Sequence, residues 1–234
     1  MSVKKITGWL LLAFAVALLT SCIPNSLVER GIERELPKFI GPADSYSVDV
    51  SGLRVRSGEA ERILAVGERV RPEGAPILDQ LEIELRDVKY DRGQERLERV
   101  ESAQATVRIL PADLAAFLKN YRNIREATIA LQPPNQATLS IQPEIGSLYA
   151  PTGITVAATG QLLGEGSLIN FEVADVSAAG ISLGSEAARR VSEVINPLAD
   201  LSTLPVTLLV QDIRVDSEAV IVDVNAEPNS FQLP

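Results

Sequence analysis

Histidine is absent from this sequence of 234 residues, and cysteine, methionine and tryptophan occur once each. Without histidine the chain lacks the commonest general base and the commonest metal ligand. A single cysteine excludes an internal disulfide. The sequence also contains no P-loop, dinucleotide-binding or Gly-x-Ser-x-Gly motif. These absences predict a protein that is not an enzyme and holds no cofactor or metal, with a carboxylate-based hydrolase as the remaining catalytic alternative.

Positive charge is scarce as well, because 22 Lys and Arg stand against 31 Asp and Glu, for a net charge of −9. Nucleic acids and anionic lipid surfaces attract proteins that carry the opposite balance. The acidic composition therefore predicts no nucleic-acid partner and no broad adhesion to anionic lipid. It mainly indicates solubility.

The N-terminus has the order of an export signal. Lys4 and Lys5 form a short basic region, and Ile6–Leu19 is an apolar run of signal-peptide length. The only cysteine follows at once in Leu-Thr-Ser-Cys22, which resembles the bacterial lipobox. We therefore expect residues 1–21 to be a lipoprotein signal peptide and Cys22 to be acylated. The alternative is an ordinary signal peptide or uncleaved anchor with an unrelated cysteine. An acylated Cys22 predicts an exported protein, lipid-anchored to a bacterial membrane on the periplasmic side of the cell envelope.

Apolar and charged residues alternate along Leu81–Asp91, which is the period of a half-buried strand. On this pattern Glu82 and Glu84 belong to the polar back of the strand. The alternation slips by one residue at Asp87, and an extra residue in a β-bulge would explain the slip and bend the strand. Similar slips occur at Ser51-Gly52, Asp175 and Asp212. Several strands bent in the same way predict one curled antiparallel sheet with an apolar concave face.

Three amphipathic helices accompany the predicted strands. Residues 25–40 form the first, with Glu29, Arg30, Glu33 and Arg34 as its solvated face. The second begins at Pro111, since proline suits the first helical position. The third runs over residues 185–201, with Ser185 as its cap and a break near Asn196 because Pro197 follows. The fold class is therefore α+β, and residues 22–234 are expected to form a single domain.

The apolar faces of these elements either fill a core or leave a groove for an acyl chain. Composition does not separate the two possibilities. Burial of an acyl chain of about 16 carbons gains roughly 12 kcal/mol gross relative to water, at ~0.8 kcal/mol per CH₂. A bilayer supplies nearly as much, so exchange between membrane and groove is close to balanced. The candidate groove residues are the apolar helix positions Leu36, Phe39, Leu114, Phe117, Val191, Ile195 and Leu198.

A family resemblance extends over nearly all of the predicted exported part. The residues that carry it are Leu78-Asp79-x-Leu81, Leu85-x-Asp87-Val88, Ala103-x-Ala105-x-Val107, Ala112-Asp113-Leu114-x-x-Phe117-Leu118, Ala158-Thr159-Gly160, Phe171-x-x-x-Asp175-Val176, Ile195-Asn196-Pro197 and Leu204-Pro205. In this succession the chain resembles the LmeA-like phospholipid-binding family. The resemblance implies an envelope protein associated with phospholipid, and a fold similar to tubular lipid-binding domains, in which a curved sheet wraps a long helix. It assigns no individual ligand residue.

The sequence thus predicts a membrane-anchored envelope lipoprotein that binds or shuttles phospholipid, or another acylated lipid, in an apolar groove. The alternative is a non-catalytic envelope scaffold or adaptor with a filled core. Such a scaffold would bind a protein partner, which the sequence leaves unidentified.

Overall fold

The computed structural model describes residues 25–91, 96–120, 124–143, 155–201 and 208–226. The predicted signal peptide (residues 1–21) and Cys22 lie outside the described residues. Within these ranges the chain forms three helices and thirteen strands. The helices are α1 (Asn25–Phe39), α2 (Pro111–Leu118) and α3 (Ser185–Ile195).

The described strands divide into two antiparallel sheets, A and B, with spatial orders β1-β2-β3-β5-β13-β12 and β10-β9-β8-β7-β6. In addition, β4 pairs with β3 in sheet A, and β11 pairs with β9 in sheet B. Sheet A contains β1 (Ser45–Ser51), β2 (Glu59–Val70), β3 (Leu78–Asp91), β4 (Arg96–Arg99), β5 (Ser102–Ile109), β12 (Leu208–Val215) and β13 (Val220–Ala226). Sheet B contains β6 (Ile124–Gln132), β7 (Gln136–Pro143), β8 (Val156–Glu165), β9 (Leu168–Ala178), β10 (Ile181–Ser182) and β11 (Ala199–Asp200).

The predicted α+β class and antiparallel pairing are confirmed, but the single predicted sheet is wrong. After β5 the chain enters α2, and the free side of β5 pairs with β13 from the end of the chain. β6 therefore starts a second sheet instead of extending the first. Both sheets are open, because no pairing among the described residues joins the first strand to the last.

Proline determines two helix ends as expected. Pro111 lies in the first turn of α2, where its missing N–H leaves no bond unmade. α3 ends at Ile195, directly before Asn196 and Pro197, so the predicted break is confirmed. The predicted cap at Ser185 is wrong, because Ser185 is already the first residue of the helix. The capping position is Gly184, which has no side chain to bond the N–H groups of the first turn.

Two of the four predicted slips are register shifts with one extra residue. In β9 the extra residue is Ala174, next to Asp175. In β12 it is Gln211, next to Asp212. Both are β-bulges of the predicted kind.

The other two slips have a different cause. Asp87 and Gly52 have left-handed backbone angles, with φ of 48° and 65°. The pairing of β2 with β3 keeps one register on both sides of Asp87, so no residue is inserted there. The buried positions nevertheless change from odd to even numbers at Asp87: Leu81 is buried before it, and Val88 and Tyr90 after it are each only 1% exposed. Aspartate and glycine tolerate this conformation better than most residues.

Helix α1 packs on sheet A and also covers the edge strand β1. The Glu33 carboxylate accepts a hydrogen bond from the Val48 N–H at 3.1 Å, and Glu29 accepts one from the Val50 N–H at 3.2 Å. The Asn25 side-chain amide donates to the Val50 carbonyl at 3.0 Å. Glu29 and Glu33 therefore bind the sheet edge, and their assignment to the solvated face of the helix was wrong.

Strand β12 joins the two sheets. The Val210 N–H donates to the Gly166 carbonyl at 2.8 Å, and the Val215 N–H donates to the Pro134 carbonyl at 2.6 Å. A β-carbon at Gly164 would lie 2.4 Å from Val210 Cγ1. The missing side chain at position 164 thus lets β12 approach β8 closely.

Candidate functional site

One face of sheet A is apolar from edge to edge. Residues paired directly across neighbouring strands share a face, and two complete apolar rows follow from the observed registers. The first row is Val48, Ala65, Ile83, Ala105, Val224 and Val210, and the second is Tyr46, Gly67, Leu81, Val107, Val222 and Ile213. Six strands at the usual spacing span about 24 Å. An acyl chain in a bilayer occupies about 15 Å, half of the hydrocarbon thickness, so either row is long enough to hold one.

The two ends of this face are covered differently. At the β1 end, Val28 and Leu36 of α1 pack with residues of β1, β2 and β3 in what we call the α1 cluster. At the β12 end, β12 and β13 pack with α2, α3 and sheet B in the large cluster. A middle cluster of Val70, Leu78, Leu81 and Ile109 lies between them.

Half-buried apolar side chains connect the three clusters, and we call them the bridging strip. Ile40, Tyr46 and Ile83 pack against both the α1 cluster and the middle cluster. Ala105, Val107 and Leu114 pack against both the middle cluster and the large cluster. Each of these six side chains remains partly exposed. The strip therefore connects the three clusters through apolar residues that the protein covers only in part.

Tyr46 forms one end of the strip. A β-carbon at Gly67 would lie 2.6 Å from Cε1 of the Tyr46 ring, so the ring covers this glycine. The hydroxyl donates to the Gly41 carbonyl at 2.8 Å. Burial raises the pKa of Tyr46, and the phenol remains neutral at physiological pH.

A bidentate ion pair holds α2 next to sheet A. Asp113, in the first turn of α2, is the only buried charged residue among those described, at 8% exposure. Its carboxylate accepts hydrogen bonds from Arg69 Nη1 at 2.6 Å and Nη2 at 2.8 Å. These bonds are the main cause that raises the pKa of Arg69, and charge-assisted bidentate pairs of this kind are short and directional. Leu114 follows Asp113 in the chain, so the ion pair positions one wall of the strip.

A carboxylate shared between Arg69 and Arg108 extends this pair. Asp79 accepts hydrogen bonds from both guanidinium groups. Two guanidinium groups and two carboxylates thus balance one another at the margin of the strip. The strip itself contains no charged side chain.

The opposite face of sheet A is charged. Glu84 pairs with Arg62 and with Arg86, and the hydrogen bond from Arg62 is the main cause that lowers the pKa of Glu84. Glu82 is exposed on the same face. The predicted placement of both glutamates on the polar back of the strand is confirmed.

This apolar surface belongs to a chain whose sequence matches a known protein family. The family model described as LmeA-like phospholipid-binding matches residues 25–225. The chain belongs to the LmeA-like phospholipid-binding family. The match covers every described helix and nearly every residue of the described strands. Searches of curated proteins and of solved structures returned no match.

The seven groove candidates predicted for this family member do not lie in one place. Leu114 belongs to the bridging strip. Val191 and Ile195 are each 7% exposed in the large cluster, and Leu198 packs against that cluster. Leu36, also 7% exposed, belongs to the α1 cluster. Phe39 and Phe117 are half-buried at the ends of α1 and α2.

Five residues of the bridging strip were missed from the sequence: Ile40, Tyr46, Ile83, Ala105 and Val107. The seven predicted residues were all chosen from the apolar stripes of predicted helices, whereas four of these five residues lie on strands. Alternation places their side chains on the apolar face. Their partial exposure depends on which elements cover each strand, and periodicity carries no signal for that.

Within the described ranges, no group of three or more Cys, Asp or Glu side chains is arranged to hold a metal ion. The helices in those same ranges are all too short or too polar to cross a membrane.

Proposed function

We propose that this family member binds a phospholipid, or another acylated lipid, by placing an acyl chain along the bridging strip. The observation that supports this most directly is a set of partly exposed apolar side chains that connects the three clusters on sheet A, in a chain of a phospholipid-binding family. The proposal includes a tubular lipid-binding arrangement, with the apolar face of sheet A as the inner wall. No chemical step is required.

The proposed lipid exchange needs no energy source. An acyl chain leaves one apolar surrounding for another when it moves from a bilayer to the strip, so the hydrophobic gain is nearly the same on both sides. A carrier held at the membrane by an acylated Cys22 would therefore load and release lipid reversibly. The bridging strip and an acylated Cys22 together support the proposal of an envelope lipoprotein that binds or shuttles lipid.

A matched pair of variants tests the site. Ala105 lies in the strip, and Gln104 is its exposed neighbour on the opposite face of β5. Ala105→Phe fills the strip, while Gln104→Phe adds the same bulk outside it. The experiment uses a chain beginning at Ile23, which lacks the predicted acylation site, so that any lipid found on it is bound and not part of the anchor.

Native mass spectrometry of this chain, purified from bacteria, should show co-purified phospholipid on the unchanged protein and on Gln104→Phe. Ala105→Phe should lose about nine-tenths of the bound lipid, because the added ring displaces several CH₂ groups of the acyl chain from the strip. Urea unfolding of all three proteins controls for folding. Consistently empty unchanged protein would contradict lipid binding and favour the scaffold. Lipid retained by a folded Ala105→Phe would place the site elsewhere.

The tether is tested separately by the intact mass of the full chain expressed in a bacterium. Acylation should add the mass of a diacylglycerol and a further acyl group to a chain that starts at Cys22. Cys22→Ser should remove the added mass. An unmodified cysteine in the unchanged protein would overturn the tether without affecting the lipid-binding result.

A further inference from the structure

The side of helix α1 that binds β1 differs from the side that carries its exposed basic residues. Glu29 and Glu33 point to β1 and accept hydrogen bonds from its N–H groups. Arg30, Arg34 and Lys38 are exposed and follow one another at intervals of four residues, which places them in one line along the helix. A protein with a net charge of −9 thus presents a basic line on its first described helix.

The basic line has few ion-pair partners in the part of the chain that the structure describes. Lys38 pairs with Glu35 at 2.6 Å. Arg30 and Arg34 form no ion pair with any residue that the structure describes. Leu27 is 50% exposed beside them. Among the described residues, the exposed side of α1 therefore combines two guanidinium groups that have no ion-pair partner with an exposed apolar side chain, and such basic side chains are attracted to an anionic lipid surface.

We infer that the exposed side of α1, formed by Ser26, Leu27, Arg30, Arg34 and Lys38, lies flat on an anionic lipid bilayer. This inference rests on the tether of the proposed function. It assigns an orientation in which the opposite side of the helix, with sheet A beneath it, faces away from the membrane. The occupant of this surface is the headgroup layer of anionic phospholipids.

The length of chain between Cys22 and α1 supports this occupant. Two residues separate Cys22 from Asn25, so an acylated Cys22 keeps the start of α1 within about 11 Å of the bilayer. This distance is close to the Debye length of about 8–10 Å in physiological salt, so the nearest guanidinium groups are not fully screened. From Ser26 to Lys38 the helix rises about 18 Å. The whole basic line therefore reaches the headgroups only if the helix lies parallel to the surface.

The experiment uses the full acylated chain in lipid nanodiscs with a nitroxide label at Ser26→Cys. A label at Ser217→Cys, in the exposed turn between β12 and β13, serves as the reference. The relative access of oxygen and of a water-soluble nickel chelate reports the depth of each label. In discs of phosphatidylglycerol, the label at position 26 should lie at headgroup depth and the label at position 217 in water.

The matched variants are Arg30→Gln with Arg34→Gln, and Arg56→Gln with Arg125→Gln. Both pairs remove two positive charges from exposed positions, but only the first lies on α1. Each basic side chain near an anionic leaflet strengthens attraction about fivefold. The first pair should therefore lower the ratio of docked to undocked chains about 30-fold, and the second should leave it unchanged.

The outcomes separate this inference from the tether. Equal water access at positions 26 and 217 in phosphatidylglycerol discs, in a chain whose mass shows acylation, would overturn the orientation and leave the tether intact. If the label at position 26 lay as deep in discs of phosphatidylcholine as in discs of phosphatidylglycerol, recognition by charge would be overturned. An unacylated mass would overturn the tether, and the label depth would still decide whether α1 binds the anionic surface.

Discussion

The two sheets of this protein contrast in how completely their apolar faces are covered. In sheet B the row Ile129, Leu139, Ala158 and Val176 lies in register, and its last three members are at most 5% exposed. In sheet A the corresponding central residues, Ile83 and Ala105, stay half-buried. Both rows have the same alternation and similar side chains. The difference therefore arises from the covering elements: α2, α3 and β12 pack over sheet B, while sheet A is covered by α1 at its β1 end, by Leu114 of α2 at its middle cluster and by sheet B at its β12 end.

The largest expected difference comes from equal truncations in the two sheets. Ile141 in sheet B is 3% exposed, and Ile83 in sheet A is half-buried. Ile141→Ala should lower the free energy of unfolding by about 3 kcal/mol because it removes fully packed methylene groups and leaves a cavity. Ile83→Ala should lower it by only about 1 kcal/mol, since water already reaches that side chain.

Urea denaturation of a lipid-free chain measures both changes, provided that the m-values stay equal. Ile83→Ala should also weaken lipid binding, whereas Ile141→Ala should affect it only through folding. Equal losses of stability for the two variants would show that the strip is as well covered as sheet B, and would remove the basis for a lipid site there.

The ion pair that holds α2 between the two regions should have the next largest effect. A double-mutant cycle with Asp113→Ala and Arg69→Ala should give a coupling energy of about 2 kcal/mol, as expected for a charge-assisted, mostly buried pair. The side chain of Asp113 is 10% exposed and that of Arg69 is 31% exposed, so the value stays below that of a fully buried pair. A coupling near zero would mean that packing alone positions α2.

The smallest effect should come from the charged back of sheet A. The pKa of Glu84 is lowered in the folded protein, mainly by the hydrogen bond from Arg62. The stabilisation from this carboxylate is therefore present above its unfolded pKa of about 4.3 and is lost as the pH falls through the lowered folded value. Glu84→Gln should lower the urea midpoint at neutral pH.

This difference should close as the pH falls from about 5 towards the lowered pKa. Glu82→Gln, at an exposed position of the same strand, controls for the loss of one negative charge. A difference that stays constant with pH would show that the Glu84 carboxylate contributes through packing and not through its charge.

The sequence predicted features that depend on neighbours along the chain. Pro197 was sufficient to place the break near Asn196, although the predicted helix continued to residue 201 and α3 ends at Ile195, and the slips at Asp175 and Asp212 were sufficient to place two bulges. The division into two sheets was not predictable in this way. It depends on the pairing of Val107 with Val222, residues far apart in the chain that meet only after α2 has turned the chain away from β5.

The candidate site has the same limitation. Leu114 was predicted because it belongs to an apolar helix stripe. Ile83 and Ala105 were not, since alternation along a strand shows which way a side chain points but not whether another element covers it. Their partial exposure depends on how far α1 and the elements of the large cluster extend over sheet A, which is a property of the assembled fold.

The cover over β1 has a consequence for the behaviour of the protein in a crowded compartment. An exposed sheet edge offers unpaired N–H groups to a strand from another molecule, which leads to aggregation or amyloid. The carboxylates of Glu29 and Glu33 already occupy the N–H groups of Val50 and Val48. A strand from another molecule would have to displace α1 before it could pair with this edge. The helix therefore also lowers the tendency of the protein to self-associate.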